Sequence, residues 1–155
     1  MRTTNKTARM YREAAVRGAS PVGLVIILYE EALRALRQAE SAMARGDVEE
    51  RTLSITHAMQ VIGYLQFVLD FERGGQVARQ LSSFYDYSRR RMFEANVKNS
   101  AEILGQLITD FTDSTEAWRE VERALAAAPE GAPGRVKAAR GVPQEQAEDF
   151  SLRGA

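Results

Sequence analysis

The chain has 155 residues, 45% apolar and 27% charged, with 21 basic against 21 acidic side chains and no cysteine. That is one domain's worth of sequence, able to bury a sizeable core without covalent staples. Zero net charge argues against nucleic acid as a partner, and the lack of cysteine excludes disulfides, thiolate metal sites and cysteine nucleophiles, which fits a reducing compartment such as the cytoplasm.

Residues 1–21, MRTTNKTARMYREAAVRGASP, hold no apolar core of signal-peptide length. The run VGLVIILY is cut by Glu30 and Glu31 before it could span a bilayer, so neither a cleaved leader nor membrane insertion is expected. Residues 1–19 read as a separate N-terminal segment in which Met10, Tyr11, Ala14 and Val16 can make a short, weak helix.

The first long helix opens at Ser20, an N-cap residue, with Pro21 in the first-turn position that needs no N–H, and Gly46 suits its left-handed end. From Tyr29 onward it is amphipathic: Tyr29, Ala32, Leu33 and Leu36 share one face, and Glu31, Arg34 and Arg37 lie off it. At about 100° per residue, Val22, Val25 and Ile26 join that face, while Leu24, Ile27 and Leu28 point away from it. Those three are apolar surface in excess.

A second helix is expected from Asp47, which has capping-box spacing to Glu50, as far as the break at Gly74 and Gly75. It carries two stripes. Ile55, Ala58, Ile62, Leu65 and Leu69 form one, and Val61, Tyr64, Val68 and Phe71 form another about 140° away, a second surplus. The third helix presents Val77, Leu81, Phe84, Tyr85, Ser88, Met92 and Ala95. The fourth, with Asn99 and Glu102 at capping-box spacing, presents Leu104, Leu107, Phe111, Ser114, Trp118, Val121 and Leu125. Three of the four prolines fall in residues 129–155, which read as a disordered Pro/Gly-rich tail.

No period-two run bounded by turn residues competes with this pattern. The expected fold is all-α: an antiparallel four-helix bundle over residues 20–128, flanked by the N-terminal helical segment and the tail. Its core should contain Leu33, Leu36, Ile62, Leu65, Leu69, Leu81, Phe84, Leu107, Phe111 and Trp118.

Chemistry is sparse. The carboxylates are scattered over polar helix faces, so no catalytic constellation forms and the protein is not expected to be an enzyme. One histidine cannot supply the paired Glu-x-x-His motifs of a di-iron bundle, and neither a metal nor a cofactor is expected. The arginines of SRRR, residues 88–91, lie beside Asp86 and Glu94 and read as salt-bridged surface. His57 raises one signalling alternative, a histidine phosphotransfer bundle. Such domains typically place lysine three and glycine four residues after the histidine, where this chain has Gln60 and Val61. A rim histidine is the plainer reading.

Two stretches carry a family likeness. ASPVGLVIILYEEALRAL resembles the opening helix of the flagellin-specific secretion chaperones, where a Thr-Ala-Ser-Pro start leads into a Leu-x-x-x-Leu-Tyr run. Residues 69–99, LDFERGGQVARQLSSFYDYSRRRMFEANVKN, resemble that family more strongly, through Leu-Asp-Phe, the Gly-Gly turn, Leu-x-x-x-Tyr-x-Tyr and Ala-Asn-x-x-Asn; Thr115 to Trp118 matches its late Thr-Trp helix more loosely. The likeness runs from about Tyr11 to Leu125. Gly18 stands where the family usually has threonine, and Glu30 with Glu31 replaces its common Asp-Gly, both read as tolerable in an exposed helix start.

The resemblance implies a non-enzymatic cytoplasmic chaperone that binds the C-terminal segment of flagellin, prevents its premature polymerisation and delivers it to the flagellar export gate. A co-chaperone or regulator, and a homodimer of the free protein, are further partners left open. Flagellin's terminal segments are amphipathic helices that pair in the filament, so a free subunit needs a substitute groove. The surplus apolar surface then becomes the expected flagellin-binding site: Tyr11, Leu24, Ile27, Leu28, Val61, Tyr64, Val68 and Phe71. Residues 7–16 would plug that groove when flagellin is absent, or else form a permanent fifth helix.

Overall fold

The computed structural model describes residues 9–10, 12–13 and 18–128. Four long helices follow one another: α1 (Pro21–Ala44), α2 (Val48–Phe67), α3 (Phe71–Lys98) and α4 (Ala101–Ala127). Arg9, Met10, Arg12 and Glu13 are also helical, as expected of the N-terminal segment, whereas the predicted tail lies outside the described residues.

Each boundary has a local cause. Ser20 Oγ accepts from the Gly23 N–H at 3.0 Å and Pro21 occupies the first turn. At the other end Gly46 adopts φ +73°; its N–H donates to Met43 O at 3.2 Å and that of Asp47 to Ala42 O at 2.9 Å, the paired bonds of a left-handed helix stop. Asp47 then starts α2 by accepting from Glu50 N–H at 3.0 Å.

Two boundaries differ from expectation. Asn99 does not cap α4 but closes α3 in the left-handed conformation at φ 52°, and Ser100 caps α4 by accepting from Ile103 N–H at 3.2 Å. The second helix stops at Phe67, short of Gly74, because Asp70 Oδ1 accepts from the N–H groups of Glu72 and Arg73, both at 3.1 Å, and begins a new helix. Gly75, at φ 50° and ψ −124°, kinks α3 one turn later instead of ending α2. Val68 is therefore the C-cap of α2 and Phe71 the first residue of α3, so Val61, Tyr64, Val68 and Phe71 do not form one helical stripe.

Links of two or three residues make neighbours antiparallel. Arg51 Nε near the start of α2 reaches Asn96 Oδ1 near the end of α3 at 3.0 Å, and Arg119, late in α4, meets Glu30, early in α1, at 3.4 Å. α1 packs most extensively on α2 and then on α4, while α2–α3 and α3–α4 contacts close the ring. α1 and α3 face each other across the diagonal, where the Tyr29 and Tyr85 hydroxyls meet at 2.8 Å. Around them stack Phe111 and Trp118, with ring centroids 5.6 and 6.3 Å from Tyr29. Nine of the ten expected core side chains are buried, and the tenth, Phe84, is half-buried against them.

This packing buries three of the seven surplus residues that the structure describes. Leu24 and Leu28 lie on the α1 side that meets α2, in register with Glu31, and both are buried; Val61, on α2, is fully buried as well. A helix with two neighbours and a diagonal partner needs a wider apolar arc than one stripe, and these residues supply it. They are core, contrary to the expectation that they form free surface.

Candidate functional site

On the outer side of α1, Ile27, Glu30, Arg34, Arg37 and Ser41 recur at intervals of three or four and line one wall of a groove of about 740 Å³. Thr112, Thr115 and Arg119 of α4 line the other wall, Leu33 reaches the groove from the seam between them, and Met10 contributes from the N-terminal segment. The site thus combines an apolar floor with a charged rim.

The charges on α1 are anchored from inside. Glu31 is 7% exposed, and its carboxylate accepts from Arg34 Nε at 2.9 Å, touches Arg34 Nη2 and meets His57 Nε2 of α2 at 2.6 Å. Burial by itself would raise the Glu31 pKa, but the hydrogen bonds from Arg34 and His57 outweigh it and hold the carboxyl at about 2. The hydrogen bond to Glu31 raises Arg34 in turn, so that it stays protonated. Across the groove Arg119 is shared between Glu30 at 3.4 Å and Glu116 at 3.5 Å.

Two sequence readings change here. Glu31 does not lie in an exposed helix start, and His57 is no rim residue; both are buried and joined across the α1–α2 seam. With Nε2 bonded and Nδ1 buried without a hydrogen-bond partner among the described residues, the imidazole offers no accessible nitrogen to a phosphoryl donor. The spacing of Glu31, seven residues after Leu24 and three after Leu28, puts it on their side of α1, and it is the packing of α2 there that makes this side buried.

Of the expected site residues that the structure describes, it brings only Ile27 into the groove. Leu24, Leu28 and Val61 sit in the core, and Tyr64 and Val68 pack half-buried against it. Phe71 is 48% exposed at the α2–α3 corner, beside a Phe67 that is 81% exposed. Tyr11 lies outside the described residues. Sequence patterning does not single out the α4 wall: Thr112 and Arg119 lie off its apolar stripe, and Thr115, on the stripe between Phe111 and Trp118, reads as core. Among the described residues no helix is long and apolar enough to cross a membrane.

Residues 3–125 match the family described as flagellar protein FliS. The flagellar secretion chaperone FliS of Salmonella typhimurium is 34% identical over 115 residues, covering 74% of this chain and 85% of that one. FliSB of Pseudomonas aeruginosa is 35% identical over 106 residues, or 68% and 84% of the two chains; FliS of Bacillus subtilis is 30% identical over 110, or 71% and 81%. With the match spanning all four helices, the chain belongs to the FliS family of flagellar secretion chaperones.

Proposed function

We propose that this protein is a cytoplasmic chaperone that binds the C-terminal segment of flagellin, keeps it from polymerising and delivers it to the flagellar export gate. The observation that carries this reading is the groove on α1: Ile27 and Leu33 offer apolar contacts, and Arg34, Arg37 and Arg119 edge them with charge. An amphipathic helix lays its apolar side into such a groove and leaves its polar side to the rim. A client that folds as it docks would bury roughly 1,500–2,500 Å², with much of the gross gain cancelled by ordering. No step of this cycle requires catalysis.

Half-buried Tyr64 and Val68, with the exposed Phe67 and Phe71 near the α2–α3 corner, are further apolar side chains open to a client, while Leu24, Leu28 and Val61 contribute through the core. Met10 borders the groove, which supports a displaceable role for residues 7–16. Hydrogen exchange there should speed up when flagellin binds; unchanged protection would make the segment a permanent fifth helix. The function itself is tested by pull-down with full-length flagellin and with flagellin lacking its C-terminal segment. Capture of the first alone is expected, and equal capture of both would place the contact elsewhere.

A further inference from the structure

We propose that Glu31, His57 and Arg34 form a specificity element, in which the buried pair holds Arg34 at the groove rim to receive an acidic side chain of the docked segment. This deepens the flagellin-binding reading and rests on it.

Burying a carboxylate costs several kcal/mol unless it is fully paired, and an apolar side chain in the same seam would serve stability as well or better. The position of Glu31 therefore calls for a role beyond packing. Its carboxylate takes Arg34 through Nε and Nη2, one edge of the guanidinium, and leaves Nη1 without a protein partner among the described residues. Arg34 is 44% exposed and lines the groove, so its remaining donors are available there. His57 grips the same carboxylate from α2 at 2.6 Å, which ties the rim of α1 to the body of the bundle. An arginine already fixed in place loses less side-chain entropy when it binds.

The groove's charge selects the sign of the partner. Among the described residues, three arginines face two glutamates in its lining. Glu31 is already bonded by Arg34 and His57, and Glu30 is shared with Arg119, so the lining keeps a positive excess near Arg34 and Arg37. An aspartate or glutamate on the polar side of the docked helix would complete the Arg34 fork, whereas a basic residue there would be rejected.

Titration calorimetry of the full chain with a flagellin C-terminal segment, and with copies in which each acidic residue is changed in turn to its amide, tests this directly. Arg34→Ala should weaken binding of the native segment about tenfold, the scale of one hydrogen bond to a charged group. One amide substitution should weaken wild-type binding similarly and have no further effect on Arg34→Ala, because the two changes remove the same contact. Glu31→Gln should lose part of that selectivity while Arg34 remains, and Arg34→Lys should restore less than arginine. Equal losses for every segment, or no loss with Arg34→Ala, would overturn the specificity element while leaving flagellin binding intact. No binding of any segment by the wild-type chain would overturn both.

Discussion

The two sides of α1 both bury polar atoms, and they do so by different means. Toward the centre, Tyr29 pairs with Tyr85 inside an aromatic cluster sealed by Phe111 and Trp118; burial pushes the Tyr29 hydroxyl up to about 12, with hydrogen bonds from Tyr85 and Trp118 offsetting part of the rise. Toward the groove, Glu31 remains charged and is held by one cation on its own helix and by an imidazole across the seam. A neutral pair adds little desolvation cost and fixes how diagonal helices meet. A charged pair is costly to bury and is justified where one member faces a surface that a partner will cover. One side builds the fold, and the other borders the proposed contact.

That contrast can be broken first at the centre. Trp118→Ala removes the largest fully buried side chain and should cost about 3–5 kcal/mol, read as a lower denaturation midpoint. A change below about 1 kcal/mol would mean that the aromatic cluster repacks freely.

The charged side should reveal itself through pH. Because the Glu31 carboxyl is lowered from 4.5 to about 2, its contribution is present above about 4.5 and is lost as pH falls toward 2. The wild type should lose about 1–3 kcal/mol across that window, and Glu31→Gln should show a shallower slope there. Parallel slopes would show that the pair adds nothing to stability. A smaller effect is expected from Tyr85→Phe, about 1 kcal/mol for one neutral hydrogen bond and nearly independent of pH below 9. Smallest of all, truncation after Ala128 should leave the denaturation midpoint unchanged, since a Pro- and Gly-rich stretch buries too little to offset its ordering entropy.

Much of the bundle was legible in one dimension because its determinants are local. Ser20, Pro21, Gly46 and Asp47 announce their caps, and the stripe of α4 needs nothing beyond helical arithmetic. The α2–α3 boundary was not, since the apolar rhythm runs on through Leu69 and Phe71 and conceals Asp70 as the start of a new helix. The candidate site is less legible. An apolar residue off the main stripe looks like free surface until the second neighbour is known, and Leu24, Leu28 and Val61 are such residues, buried by α1–α2 packing. A glutamate looks solvated until a histidine 26 positions away is found against it. Both errors come from contacts between helices, which periodicity within one helix does not encode.

In the function proposed above, the outer face of α1 receives the flagellin C-terminal segment. Ile27→Glu tests it most directly, because Ile27 lines the groove and is only partly buried, whereas Val68→Glu would also disturb a residue packed on the core. Titration calorimetry with that segment, run beside a melting curve on the same preparation, should show roughly thirtyfold or greater loss of affinity with little change in melting temperature, from setting an unpaired carboxylate against an apolar helix. Undiminished binding by a folded Ile27→Glu protein would contradict the account and put flagellin on another face of the bundle.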